Sequence, residues 1–85
     1  MRYEIRFTKS ALKDLLSIPG RETNRILIEI EKLKEVPRPM GSIKLKGGGE
    51  SFWRIRIGDY RVIYTIEDVV RIVEILAVGN RKDIY

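Results

Sequence analysis

Arg54, Arg56 and Arg61 are the residues whose types and spacing best suit chemistry in this chain of 85 residues. The chain has no Cys and no His, which excludes a thiolate nucleophile, an imidazole general base and the usual zinc sites. Any reaction must therefore use arginine, lysine, tyrosine or carboxylate groups. A guanidinium group stays charged at physiological pH, and its planar fork can hold two phosphate oxygens at once. The three arginines thus suggest a site for a phosphate group.

The charge balance indicates a polyanionic partner. There are 17 Lys and Arg residues against 12 Asp and Glu residues, a net charge of +5, which favours nucleic acid or an acidic protein as the partner. The length allows one core, so we expect one domain over residues 1–85. No apolar run approaches the roughly 20 residues of a membrane span. The N-terminus does not resemble a signal peptide, and we expect a cytoplasmic protein.

The first half of the chain predicts a strand followed by a helical hairpin. Alternating apolar residues predict a strand over residues 3–7, and Thr8 is suited to cap the helix that follows. The apolar residues of this helix, before a break at Pro19 and Gly20, are Ala11, Leu12, Leu15, Leu16 and Ile18. A second amphipathic helix is predicted from residue 21 to about residue 35, with Ile26, Leu27, Ile30 and Leu33 inside.

The second half predicts strands over residues 43–46, 51–57, 60–66 and 69–78. The element order β-α-α-β-β-β-β predicts an α+β fold in which the helix hairpin covers one face of a mostly antiparallel sheet. The last strand is so rich in Val, Ile and Leu that we expect a central position. Trp53, Tyr60 and Tyr64 are expected to face the helices, and the other face of the sheet stays open.

The register of the third and fourth strands follows if Gly58 and Asp59 form a two-residue hairpin turn. Arg56 is then directly opposite Arg61, and Arg54 lies on the same open face. Like charges in this position cost about several tenths of a kcal/mol. A bound phosphate would explain that cost, whereas the alternative is a solvated sheet face with no ligand.

Four segments of the second half, together with residues 11–15 (ALKDL) in the first helix, carry a resemblance to a known family. The segments are 44–47 (KLKG), 53–56 (WRIR), 58–64 (GDYRVIY) and 78–85 (VGNRKDIY). In their order and spacing they resemble the RelE toxins of the RelE/ParE superfamily, which are the toxin halves of type II toxin–antitoxin pairs. The resemblance spans the chain.

The resemblance implies a ribosome-dependent mRNA endoribonuclease. In the family reaction the 2′-hydroxyl attacks the adjacent phosphate and leaves a cyclic phosphate and a free 5′-hydroxyl, without a metal or other cofactor. The positions that match the family's functional residues are Arg54, Arg56, Arg61, Arg81 and Tyr85. We further expect contacts to RNA from Lys44, Lys46 and Phe52.

Roles for these residues follow from the needs of the implied reaction. Arg61 with Arg56 would stabilise the charge on the phosphorane, and Arg81 would assist the leaving 5′-oxygen. Tyr85 could stack on a base or orient the 2′-hydroxyl. Arg54 is a poor general base, because the pKa of arginine exceeds about 12. Either Tyr85 takes the proton, or catalysis depends on positioning and charge stabilisation that the ribosome partly supplies.

The resemblance also implies partners and leaves two other functions open. A RelB-like antitoxin, the ribosome and mRNA are the expected partners, and the toxin–antitoxin complex would bind operator DNA. One alternative is a ParE-like toxin that inhibits DNA gyrase and has no nuclease activity. The other is a basic module that binds nucleic acid or protein without catalysis.

Overall fold

Two helices pack on one face of a five-stranded sheet in the computed structural model, which describes residues 2–45 and 51–80. The elements are β1 (Glu4–Phe7), α1 (Lys9–Leu16), α2 (Gly20–Lys32), β2 (Ile43–Leu45), β3 (Phe52–Ile57), β4 (Tyr60–Glu67) and β5 (Ile72–Asn80). The predicted α+β fold and its element order are confirmed. Within the described residues, neither helix is long and apolar enough to cross a membrane.

The sheet is mixed, with strand order β1-β5-β4-β3-β2. β1 runs parallel to β5, and the other three pairings are antiparallel, as the prediction of a mostly antiparallel sheet requires. β5 is an interior strand between β1 and β4, in keeping with its Val and Ile content, although β4 holds the middle position. β5 begins at Ile72 rather than at residue 69, because residues 68–71 form the turn after β4.

The helix ends are set by local hydrogen bonds and by proline. The Thr8 hydroxyl caps α1 by accepting from the Ala11 amide at 3.1 Å, as the sequence predicts. α2 ends at Lys32, three residues before the predicted end, and the chain continues in turns as far as Val36. The amides of residues 33–35 donate to carbonyls three residues back, so the chain tightens after Lys32 as helix ends often do. Pro37 disfavours helical conformation at Val36, so the helix does not resume.

The core lies between the helices and one face of the sheet. Its buried residues are Ala11, Leu15, Ile26, Ile30, Leu33, Ile55, Ile57, Val62, Tyr64, Val73, Ile75 and Val78. Tyr64 is fully buried and donates its hydroxyl to the Pro37 carbonyl at 2.8 Å, while burial raises its pKa to about 12. Trp53 and Tyr60 pack against this core, so the expectation for the three aromatic residues is confirmed.

Three leucines of the apolar stripes of the two helices are exposed. Leu12 and Leu16 of α1 are 50% and 87% exposed, and Leu27 of α2 is 38% exposed. Each short helix contacts the sheet along one narrow line, so only part of its apolar stripe is covered. The prediction of an inward position was wrong for Leu27.

A cluster of polar contacts, which we call the Asp68 clamp, joins four segments at one end of the sheet. The Arg38 guanidinium donates to both Asp68 carboxylate oxygens, at 3.2 and 2.8 Å, and lies 5.2 Å from the centre of the Trp53 ring. The Tyr3 hydroxyl donates to Asp68 at 2.7 Å. The clamp therefore connects the residue before β1, the loop after α2, β3 and the β4–β5 turn.

Candidate functional site

The β3–β4 hairpin has the predicted register. Ile57 pairs with Tyr60 and Arg56 pairs with Arg61, with Gly58 and Asp59 forming the turn. Gly58 has a φ of +60°, a conformation that an L side chain rarely adopts. A Cβ at Gly58 would also stand 3.0 Å from Arg25 Nη1. The turn therefore requires glycine, and it fixes which residues of the two strands share a face.

The hairpin brings Arg54, Arg56 and Arg61 together on the face opposite the helices, which we call the arginine face. Ile55 and Val62, which alternate with these arginines, are buried on the helix side. Arg56 is exposed, whereas Arg54 and Arg61 are half-buried and their Nε atoms are shielded from solvent. Partial removal from water strengthens the attraction between a guanidinium group and a bound anion.

Small residues of β5 lie beside these arginines. Gly79 is opposite Arg61, and Ala77 is opposite Ile63, so only a hydrogen and a methyl group rise from β5 at these two positions. A backbone without bulky side chains allows a ligand to approach closely. The sequence analysis missed this feature, although small residues at alternating positions of the last strand are a visible signal.

The other predicted site residues take different positions. Phe52 shares the arginine face and is half-buried. Lys44 pairs with Trp53, which faces the helices, so the alternation of the strand places Lys44 on the opposite side of the sheet from the arginine face. The structure does not bring Lys44 to the three arginines. Lys46, Arg81 and Tyr85 lie outside the described residues.

Opposite charges are paired toward the β1 side of the same face. Arg6 lies next to Glu74 in the β1–β5 register and donates from Nε to Glu4 at 2.7 Å. The hydrogen bond to the Glu4 carboxylate raises the pKa of Arg6 above its ordinary value. Among the described residues, charge is thus balanced near β1 and positive along the β3–β4 hairpin.

A groove of about 650 Å³ lies next to β3 on the helix side. Its apolar lining is Leu33, Val36, Pro39, Met40, Ile55 and Ile57. β2 pairs only with residues 52–54 of β3. In the described part of the chain, residues 55–57 pair with β4 on one side and have no strand partner on the other side, which is the open edge of β3. An apolar groove beside an open strand edge suits an extended peptide segment.

Comparisons with known proteins agree on one family. The family model for the ParE toxin of type II toxin–antitoxin systems, parDE, matches residues 5–85. Toxin RelG of Mycobacterium tuberculosis is 34% identical over 86 residues, which cover 100% of this chain and 98% of the relative.

Solved structures give the same result. An archaeal RelE–RelB complex from Pyrococcus horikoshii contains a chain with 33% identity and a TM-score of 0.83, and the match covers 98% of this chain and 99% of that one. The toxin–antitoxin complex RelBE2 from Mycobacterium tuberculosis contains a chain with 29% identity and a TM-score of 0.83, covering 95% and 100%.

Proposed function

Because the chain belongs to the RelE toxin family of the RelE/ParE superfamily of type II toxin–antitoxin systems, we propose that it is a ribosome-dependent endoribonuclease that cleaves mRNA. The observation that carries this proposal is the direct pairing of Arg56 with Arg61 on the arginine face, with Arg54 beside them. Two cations held opposite each other destabilise an empty sheet and stabilise a phosphate between them.

The proposed reaction is an internal transfer at phosphorus. The 2′-hydroxyl oxygen forms a new bond to the adjacent phosphorus and loses its proton, while the bond from phosphorus to the 5′-oxygen breaks. The products are a 2′,3′-cyclic phosphate and a 5′-hydroxyl, which takes up a proton. Negative charge builds on the phosphorane oxygens between these two events, and Arg56 and Arg61, already in place, stabilise it.

The proton transfers are assigned outside the arginine face. Arginine holds its proton, with a pKa above about 12, so Arg54 serves as a positive charge and not as a base. By the family resemblance, we propose that Arg81 assists the leaving 5′-oxygen and that Tyr85 orients or deprotonates the 2′-hydroxyl. Alternatively, a group of the ribosome accepts the proton and positions the RNA. No metal or other cofactor takes part in the proposed scheme.

RNA contacts beyond the scissile phosphate are proposed from position and residue type. Phe52 shares the arginine face and offers an aromatic ring for stacking on a base. Lys44 is exposed on edge strand β2 but points to the other side, so it would contact RNA only where the RNA passes around that edge. Lys46 is proposed to contact RNA from the same segment of sequence.

We also propose a RelB-like antitoxin as the partner, as in the RelE–RelB complex from Pyrococcus horikoshii. The apolar groove and the unpaired edge of β3 lie next to Arg56, so an antitoxin segment bound there would reach the arginine face. Exposed apolar surface of this kind is typical of protein interfaces. We propose that the complex acts in the cytoplasm and binds operator DNA.

The test uses purified chain and ribosomes programmed with mRNA and an empty A site. We expect cleavage in a buffer whose only divalent cation is the Mg²⁺ that the ribosome itself requires, with cyclic phosphate and 5′-hydroxyl ends mapped by primer extension and end analysis. Arg61→Ala should lower the cleavage rate by about 10²- to 10³-fold, the usual loss for one donor that stabilises an anionic transition state. Arg21→Ala, an exposed arginine on α2, is the matched control.

Either of two results contradicts the proposed nuclease function: no cleavage by the wild-type chain, or cleavage by Arg61→Ala at the wild-type rate. The match to the ParE family model favours gyrase inhibition as the second candidate. That function predicts cleaved DNA held by gyrase in cells that express the chain, with translated messages intact. Salt-sensitive RNA binding without turnover would instead indicate a non-catalytic binding module.

A further inference from the structure

α1 replaces β1 as the neighbour of the last part of β5. The β1–β5 pairing ends at Phe7 and Ile75, yet β5 continues to Asn80. Beyond Ile75 the outer edge of β5 is held by side chains of the helix. The Thr8 hydroxyl donates to the Leu76 carbonyl at 3.2 Å, and Asp14 Oδ2 accepts from the Val78 amide at 2.9 Å.

From this contact we propose that Asp14 is a positioning residue, which holds the end of β5 in register with Arg61. The inference rests on the proposed nuclease function. In an antiparallel pair, successive residues direct their backbone groups to opposite sides. Because the Val78 amide faces α1, the backbone groups of Gly79 face β4, where the partner is Arg61. Asp14 therefore holds the residue directly before Gly79, which is the partner of Arg61 in β5.

Because of a bulge in β5, the register of the last residues of this strand depends on the contact between Asp14 and Val78. Ile63 pairs with Ala77 and Tyr64 with Ile75, so Leu76 is an extra residue in β5 and the register changes there. A slip of one residue beyond the bulge would replace Gly79 with Val78 or Asn80 opposite Arg61. A side chain would then occupy the space that Gly79 leaves beside the guanidinium group.

The position of Asp14 in α1 is unfavourable for the helix itself. Asp14 lies in the last turn, where the partial negative charge of the helix C-terminus disfavours a carboxylate, and aspartate is a weak helix former. In the tertiary structure the same carboxylate supplies the acceptor that the Val78 amide needs, since Val78 is 3% exposed. The contact to β5 thus explains a residue that local propensity does not.

The experiment compares Asp14→Asn, which keeps an acceptor oxygen, with Asp14→Leu, which keeps the shape and removes it. Amide hydrogen exchange at Val78, Gly79 and Asn80 reports the end of β5. The cleavage rate, measured over a range of concentrations of programmed ribosomes, separates kcat from KM. Ile30→Val, a buried position in α2, is the control for a general loss of stability.

We expect Asp14→Leu to speed exchange at the end of β5 and to lower kcat by about 10- to 100-fold at unchanged KM, as for a displaced catalytic group. Asp14→Asn should stay within about threefold of the wild type, because a neutral acceptor keeps roughly half the strength of the hydrogen bond. Ile30→Val should not change kcat.

Three results would overturn the inference: unchanged kcat in Asp14→Leu, equal losses in both Asp14 variants, or a matching loss in Ile30→Val. A wild-type chain that does not cleave mRNA overturns the proposed function and, with it, the catalytic part of this inference. The exchange pattern then still decides whether Asp14 holds the end of β5, so the two failures are distinguishable.

Discussion

Arg56 of β3 lies directly opposite Arg61 of β4 on the open face of the sheet. Neighbouring side chains on one face of an antiparallel pair have Cβ atoms about 4.5–5.5 Å apart, so the two charges repel each other across the ladder. The fold keeps this unfavourable pair in the β3–β4 hairpin, next to the Ile57–Tyr60 pair at the turn. A phosphate that bridged the two groups would convert the repulsion into binding energy.

Replacement of Arg56 should therefore separate stability from activity. We expect Arg56→Gln to raise the free energy of unfolding by about 0.5 kcal/mol, because the repulsion with Arg61 is removed. The same change should lower mRNA cleavage by about 10²-fold or more, since one stabilising charge is lost. Urea denaturation and the ribosome assay measure the two effects, with Arg21→Gln as the control. A variant that is less stable and still cleaves normally would contradict both expectations.

The space beside Arg61 gives a steric prediction. Gly79→Val introduces a side chain that suits a strand but stands directly across from Arg61 on the arginine face. We expect folding to be retained and cleavage to fall by at least about tenfold, a loss of 1.4 kcal/mol or more in transition-state stabilisation. Thr65→Val, which places a valine farther along the same face without adding bulk, is the control. Circular dichroism checks the fold, and equal activity of the two variants would exclude the steric role of Gly79.

The Asp68 clamp should make stability depend on pH in acid. Hydrogen bonds from Arg38 and then Tyr3 lower the pKa of Asp68 below its ordinary value. Its contribution to stability is therefore fully present above the unfolded-state value of about 3.9 and is lost as the pH falls through the lower folded-state pKa. We expect Asp68→Asn to be less stable than the wild type at pH 7 and equally stable once the wild-type carboxyl is protonated.

Urea denaturation over a series of pH values measures this difference. Glu67→Gln, at the exposed neighbouring position, serves as the control for the loss of one negative charge. A constant difference between Asp68→Asn and the wild type at every pH would show that the charge of Asp68 is not the cause.

The turn between β4 and β5 offers a stabilising substitution. Arg71 has a φ of +56°, the left-handed region, which costs a residue with a side chain about 1–2 kcal/mol. Glycine avoids this cost but loses about 0.5–1 kcal/mol through the greater freedom of the unfolded chain. We expect Arg71→Gly to raise the free energy of unfolding by about 0.5–1 kcal/mol. Val70→Gly, at a position without positive φ, should lower it, and thermal or urea denaturation distinguishes the two.

The sequence predicted the part of the fold that local signals determine. The glycine of the β3–β4 turn and the alternation of the strands were enough to give the register of Arg54, Arg56 and Arg61. The parallel pairing of β1 with β5 was not assigned, because no local pattern specifies which distant strand lies next to β1. The end of α2 was misplaced because the turns that follow it have the same apolar spacing as a helix.

In the candidate site, too, local sequence signals identified some residues, whereas contacts between distant parts of the chain were missed. Residue types identified the arginines, but the role of Gly79 and the contact of Asp14 with Val78 depend on pairings across the chain. Lys44 was predicted to contact RNA without an assigned face, and its pairing with Trp53 in the three-residue strand β2 places it on the other side of the sheet from the arginines. The proposals for Lys46, Arg81 and Tyr85 rest on the family resemblance, since these residues lie outside the described part of the chain.

The parallel contact between the first and last strands governs when this protein can fold during its own synthesis. Strand β1 is synthesised well before its neighbour β5, so β1 has no strand partner in the nascent chain until residues 72–75 have left the exit tunnel. Topologies dominated by such distant pairings also fold slowly. In a growing chain the sheet therefore stays open at β1 until the residues of β5 are outside the tunnel.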